Sequence, residues 1–356
     1  VFSNVETVNG LIFTGIINGF DNYVVDYLLG KNRNNSKSQE IKRIHSIDVL
    51  RVVMAFLVVT IHIPFKNNVG SIFITYGKVA VPFFLTVCGY FLYRNNPQEM
   101  MPRLIKQTIR MFIFYVLSNI VYAIAVIKLH DFSIASITSK QILDFVLYNM
   151  SPFSEHLWFF GSLLYALIIL MILNKLKVLN YAMFISPLLL IAYIVLSYLN
   201  IAPYYALRNA ILVTLPYVMM GMLIHRYEDK LLKIKNSILW ILALILCASA
   251  IVEFYTIKNL DVPFISCEIL VYVIVILCLK YPDFGKDTLA EKIGRDLSLT
   301  IYVIHILVAM ILEKIIPTNT GLISTYGAIT TFVVTALIAA CYNSLKKLIS
   351  KNTKEL

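Results

Sequence analysis

Two ionisable residues in one apolar run carry the first chemical signal. The stretch IDVLRVVMAFLVVTIHIPF, residues 47–65, reads as a membrane-crossing helix, yet it contains Arg51 and His62. An ionisable side chain at the centre of such a helix costs roughly 2.5–3.5 kcal/mol on insertion scales, so a merely structural span seldom keeps two. Their spacing of eleven places them about 16 Å apart along the axis and within about 20° of one face. That face holds a cation toward the helix start and an imidazole toward its end, and Asp48, three residues before Arg51, can pair with the cation. A fixed guanidinium suits phosphate or carboxylate. A neutral imidazole, with an ordinary pKa of about 6.5, suits removal of a proton from a hydroxyl. The spacing alone leaves a second reading open, in which Arg51 snorkels to one interface and His62 to the other.

Two more histidines stand at comparable places. SEHLWFFGSL, residues 154–163, sets Glu155, His156 and Trp158 at the start of a later apolar run. Trp158 stands where an interfacial belt residue is expected. His156 is either a solvated loop residue or, at the depth of His62, a second imidazole facing one outer cavity. RDLSLTIYVIHILV, residues 295–308, spaces Ser298, Tyr302 and His305 four and three apart, a polar stripe that must face the bundle interior. The stripe either hydrogen-bonds neighbouring helices or lines a path for a polar substrate. His45, His130 and His225 fall at span ends or in a loop and say less. Buried Arg and His together suggest proton transfer plus anion binding. The basic stretches Arg94 to Arg110 and Arg226 to Lys235 read either as topological charge or as a cytoplasmic site for a phosphorylated cofactor.

The elements that must position these residues follow from composition. The chain has 356 residues, 59% hydrophobic and 14% charged, with mean hydropathy +0.78, far more apolar than soluble domains. Runs of about 18–22 apolar residues predict ten spans, near 47–65, 72–93, 108–128, 157–174, 178–199, 204–225, 237–256, 261–280, 298–316 and 322–342. With these spans, 23 of the 31 Lys and Arg fall on the side of the N-terminus and six on the other, alternating at every crossing. The positive-inside rule then puts both termini in the cytoplasm. The expected fold is all-α, a polytopic membrane protein of about ten transmembrane helices. The net charge of +11 is topological and faces lipid headgroups, which argues against nucleic acid as a partner. Cys88, Cys247, Cys267, Cys278 and Cys341 lie in apolar runs without CxxC or Cys/His spacing, so neither a disulfide nor a metal is expected. Residues 1–44 read as a leader and polar linker, 45–345 as the membrane domain and 346–356 as a basic cytoplasmic tail.

These motifs, in this order, resemble the integral membrane acyltransferase-3 family. DVLR followed by His62 resembles its first-span signature, and KVAVPFFLTVCGYFLYR, residues 78–94, its second span, with Cys88 where the family has serine. EHLWFF, LPYVMMGMLI at 215–224 and SLTIYVIH resemble later landmarks, so the likeness spans about 45–345. The chain is similar also to the membrane domain of vancomycin-resistance serine racemases. The resemblance implies a multi-pass acyltransferase of the bacterial cell (inner) membrane. Its expected donor is acetyl-CoA or another acyl-CoA, and its expected acceptor a hydroxyl of a cell-envelope glycan or lipid-linked sugar. It further implies His62 as catalytic base with Arg51 as its partner, and Arg103, Lys106 and Arg110 as cofactor-binding cations. Asp48, Glu155, His156, Ser298, Tyr302 and His305 are supporting candidates. Acceptor specificity is expected in the outer loops, above all 129–156. The competing reading is a secondary transporter of a small polar molecule such as an amino acid, with the histidines as a proton relay.

Overall fold

The computed structural model describes residues 43–257, 259–316 and 321–355. The expected leader and the last tail residue therefore lie outside the described residues. The described chain is all-α. Its main helices are α1 (His45–His62), α2 (Asn67–Gly77), α3 (Ala80–Leu92), α4 (Pro97–His130), α5 (Ser139–Tyr148) and α6 (Trp158–Lys175). These are followed by α7 (Ser186–Tyr198), α8 (Leu215–Arg226), α9 (Asn236–Thr256), α10 (Ile265–Lys280), α11 (Leu289–Asp296), α12 (Ser298–Ile315) and α13 (Gly321–Glu355). Eight helical stretches are long and apolar enough to cross a membrane. The predicted sixth and eighth spans are shorter helices, Ala210–Arg226 and the 16-residue α10.

Local sequence explains the departures from the predicted spans. The second span is two helices joined by a turn at Lys78 and Val79, where the backbone keeps right-handed helical angles but the amides bond three residues back, to the carbonyls of Thr75 and Tyr76. The third begins eleven residues early, since Asn96 caps the amide of Gln98 at 2.9 Å and Pro97 takes the first helical position. The sixth starts late: the Asn209 side chain accepts from the amides of Ile211 and Leu212 at 2.9 and 3.0 Å, opening a π turn that leads into α8. Arg208 is left just outside that helix. In the 129–156 connection, α5 is closed at its start by a Thr138–Gln141 capping box. It turns Ile142, Leu143, Val146 and Leu147 outward as an interfacial helix would.

Glycines set the closest helix contacts. A Cβ on Gly89 in α3 would lie 1.9 Å from the Val218 carbonyl oxygen of α8, and one on Gly221 would lie 1.9 Å from that of Thr86. The two backbones therefore touch, as small residues allow in membrane bundles. Near the start of α1, amphipathic α11 lies against it at Gly294, where a Cβ would lie 1.7 Å from the Asp48 carbonyl oxygen. Beside this contact, Asp48 accepts from Arg51 at 2.7 Å and from Arg43 at 2.9 Å. Glu291 meets Arg43 at 3.2 Å and His45 at 3.1 Å. The hydrogen bond from His45 holds the Glu291 carboxyl below its ordinary value. Arg51 is thereby held at one end of α1, while Pro64 stops the helix soon after His62 at the other.

Candidate active site: two cavities in one bundle

The inner cavity, about 490 Å³, opens among α1, α3, α4, α6, α11 and α12, toward the end of the bundle where α1 begins. Arg51, Arg103, Lys106, Arg110 and Arg295 line it, and no carboxylate does. The spacing of three and four puts Arg103, Lys106 and Arg110 on one face of α4. Arg51 is braced from behind by Asp48 at 2.7 Å, and Arg295 by Asp296 at 2.5 Å. Ser298 and Cys88 also line the wall. Such a cavity fits a polyanion at its mouth and an uncharged arm beyond it. The charges at Arg103 to Arg110 thus lie on a cavity, whichever part of positive-inside topology they also serve.

The outer cavity, about 390 Å³, is of another kind. His62, His156, Lys78, Arg208, Glu155, Asp261 and Glu268 supply its ionisable groups. Trp158, Tyr193, Tyr204 and Tyr217 supply flat aromatic walls. Arg208 is ion-paired with Glu155 at 2.7 Å and lies over the rings of Trp158 and Tyr204, 4.6 and 4.5 Å from their centroids. Lys78 donates to the carbonyl of Val262 at 3.0 Å, and the Tyr217 hydroxyl donates to Glu268.

Three imidazoles from distant parts of the chain meet here. The ring centroids of His62 and His305 are 5.3 Å apart, those of His62 and His156 6.2 Å, and those of His156 and His305 5.2 Å. Their hydrogen bonds give each a different state. His156 donates from Nε2 to the Val303 carbonyl at 3.3 Å and accepts at Nδ1 from Ser154 at 2.7 Å, so both nitrogens are used. Fully buried His305 donates from Nδ1 to the Tyr302 carbonyl at 2.7 Å, which leaves Nε2 a bare acceptor without a hydrogen-bond partner among the described residues. These tautomers are assigned from the partners. Of the three, His62 is exposed where His156 and His305 are buried, and neither of its nitrogens has a hydrogen-bond partner among the described residues. It is the imidazole free to take a proton from a bound molecule. The nitrogens of His156 and His305 that face backbone carbonyls do not converge with His62 as metal ligands would.

The structure thus brings His62, His156, Tyr302 and His305 together. It separates Arg51, Arg103, Lys106, Arg110 and Ser298 from them into the inner cavity. Asp48 stands behind Arg51, and Glu155 sits on the outer rim with its side chain 58% exposed. One expectation is corrected. Trp158 is buried in the outer cavity wall beneath Arg208, where cation–π contact and apolar burial outweigh a place in the headgroups. Within 129–156, only Glu155 and His156 line that cavity. The connections around Tyr204–Arg208 and Leu260–Pro263 line it as well. Sequence reasoning passed over Lys78, Arg208 and Glu268, although a carboxylate inside an apolar run such as ISCEILVYVIVIL is a signal in itself.

A family model described as an acyltransferase domain matches residues 44–342, from just before α1 to near the end of α13. No curated protein and no solved structure matches the chain. The family decides between the enzyme and carrier readings that the histidines left open. With most of its length inside that match and its helices built to cross a bilayer, this chain belongs to the acyltransferase-3 family and is a multi-pass membrane acyltransferase.

Proposed function

We propose that the protein is an O-acyltransferase of the bacterial cell (inner) membrane. It would move a short acyl group, acetyl foremost, from acyl-CoA on the cytoplasmic side to a hydroxyl of a cell-envelope glycan or lipid-linked sugar on the outer side. One observation carries this reading. A cavity lined by five cations and a cavity lined by histidine and aromatic rings share the Tyr302 side chain as a common wall.

In this reading Arg103, Lys106 and Arg110 hold the donor's phosphates near the inner mouth, with Arg51 and Arg295 adding charge from α1 and α11. The apolar wall of α3 and α6 guides the uncharged arm toward the outer cavity. Trp158, Tyr193 and Tyr204 offer flat faces to the acceptor sugar, and Arg208 and Glu268 offer polar contacts for its hydroxyls. His62 removes the proton of the attacking hydroxyl. The new O–C bond to the acyl carbon forms, the C–S bond of the thioester breaks, and His62 returns the proton to the thiolate of CoA. The bare Nε2 of His305 stands ready to accept from the other nitrogen of His62, steadying the imidazolium between the two transfers.

The test uses membranes containing the protein or its His62→Ala variant, incubated with acetyl-CoA radiolabelled in the acetyl group and a cell-envelope extract. Label is expected in glycan with the wild type and lost with the variant. Equal labelling by both would sink the assignment, and proton-coupled uptake into vesicles without an acyl donor would restore the transporter.

A further inference from the structure

Tyr302 is the residue that the two cavities have in common. Its ring is 94% buried, the exposed part being 6%. Its centroid lies 5.1 Å from that of Phe159 and 5.5 Å from that of Phe160 on the inner side. It lies 5.9 Å from that of His156 and 6.0 Å from that of His305 on the outer side. Its hydroxyl donates to the His156 carbonyl at 3.0 Å, which ties α12 to the turn that carries His156. The ring is thus packed on both faces and latched at its tip.

The geometry points to Tyr302, backed by Phe159, as the partition that limits the length of the acyl group, an inference that rests on the acyl-CoA reading above. A donor arm in the inner cavity reaches His62 past this ring, because among the described residues no other one lines both cavities. A two-carbon acyl group needs little of that passage. Each further methylene must find room between Tyr302 and Phe159 or displace a latched, close-packed ring, and interiors of native density yield poorly to such demands. Tyr302 is therefore a specificity-determining residue, and its ring also keeps the outer water from the cytoplasmic side of the bundle. The notch is built from aromatic residues in helices otherwise rich in Ile and Leu, so trimming one ring opens space there while the neighbouring turns keep their packing.

The experiment compares acetyl-CoA with butyryl-CoA, each labelled in the acyl group, for transfer to the same cell-envelope extract. Tyr302→Ala is expected to raise the butyryl-to-acetyl ratio of kcat/KM at least about tenfold, as an apolar pocket discriminates roughly that much per methylene. Phe159→Leu is expected to move the ratio the same way by less, and to serve if Tyr302→Ala does not fold. Tyr302→Phe, which keeps the ring and loses only the latch, is expected to leave the ratio near that of the wild type. An unchanged ratio in both Tyr302→Ala and Phe159→Leu overturns the inference while leaving acyl transfer intact. A wild type that transfers neither label would instead fault the acyl-CoA reading. The partition is then judged on its own by reaction of Cys88, which lines only the inner cavity, with a small charged methanethiosulfonate in a Cys247→Ser/Cys341→Ser background. Reaction from the outer face only after Tyr302→Ala supports the partition. Equal reaction from that face in the wild type refutes it.

Discussion

The inner and outer cavities lie in one bundle and are held by opposite kinds of contact. The inner one is lined by permanent cations and braced by carboxylates set outside it, at Asp48 and Asp296. The outer one mixes imidazoles, three carboxylates, two cations already engaged by their neighbours and five large aromatic rings. A braced guanidinium keeps its charge and position whether or not an anion is bound. A neutral imidazole with free nitrogens changes state when a proton arrives. In the proposed reaction, recognition of charge and movement of a proton are divided between two compartments, so substitutions on the two sides are expected to damage different kinetic constants.

The largest effect tests the outer side. Replacing His62 by Ala removes the exposed imidazole of the three and is expected to lower kcat by about 10²–10⁴-fold, the usual worth of a general base. Its KM for acyl-CoA should stay near that of the wild type, because the inner cations are untouched. A His62→Ala protein whose KM rises while kcat holds would break the division between compartments. The mirror test follows on the inner side. Arg103→Ala or Lys106→Ala is expected to raise KM for acyl-CoA about tenfold each, the scale of one charge-assisted hydrogen bond. In these variants kcat should be nearly preserved, and steady-state kinetics over a donor series checks both statements.

A smaller effect concerns the brace rather than the cavity. Glu291 joins Arg43 and His45 beside α1, and its carboxyl is held below its ordinary value, first by the His45 hydrogen bond. A carboxylate with a depressed folded-state pKa stabilises the protein above its unfolded value, and that stabilisation disappears as pH falls through the folded value. The thermal midpoint in detergent should therefore drop as pH is lowered below about 4.5, the ordinary glutamate value. Glu291→Gln should lower the midpoint at pH 7 and remove its part of that acid dependence. Parallel curves for the two proteins would show that α11 is held to α1 by packing at Gly294 alone.

Much of this arrangement was legible in the sequence, for reasons that differ by residue. Arg51 and His62 share one helix, so 3.6-residue periodicity was enough to place a cation low and an imidazole high on one face. Ser298, Tyr302 and His305 likewise share α12, and their inward stripe follows from the cost of polar groups in lipid. The alternation of Lys and Arg between loops gave the crossings, because that charge bias acts on each loop separately. What could not be read was convergence between helices. For His156 the sequence left a solvated loop residue and a second cavity imidazole equally open, and only the packing of α12 shows its ring 5.2 Å from that of His305. Arg208 was hidden among topological charges, since its placement depends on Asn209 delaying the next helix. Lys78 reaches the outer cavity from a break in a run whose hydropathy is continuous. No periodicity predicts that break.

The smallest expected effect bears on the outer rim, where the two compartments differ most in exposure. Glu155 pairs with Arg208 at 2.7 Å, but its side chain is 58% exposed and that of Arg208 only 11%. Arg208 does not depend on this carboxylate for its position. Its guanidinium lies over Trp158 and Tyr204, and it donates to the Tyr204 hydroxyl at 3.1 Å. Exposed ion pairs are worth about 0.2–1 kcal/mol and are screened by salt. Glu155→Gln is therefore expected to change KM for the acceptor by at most about fivefold, with the difference shrinking as salt rises and donor KM unchanged. Arg208→Ala should cost more at any salt concentration, because it also strips the cover from Trp158 in the cavity wall. Were Glu155→Gln the more damaging of the two, the carboxylate would be contacting the acceptor directly, and the outer cavity would have to be extended to its rim.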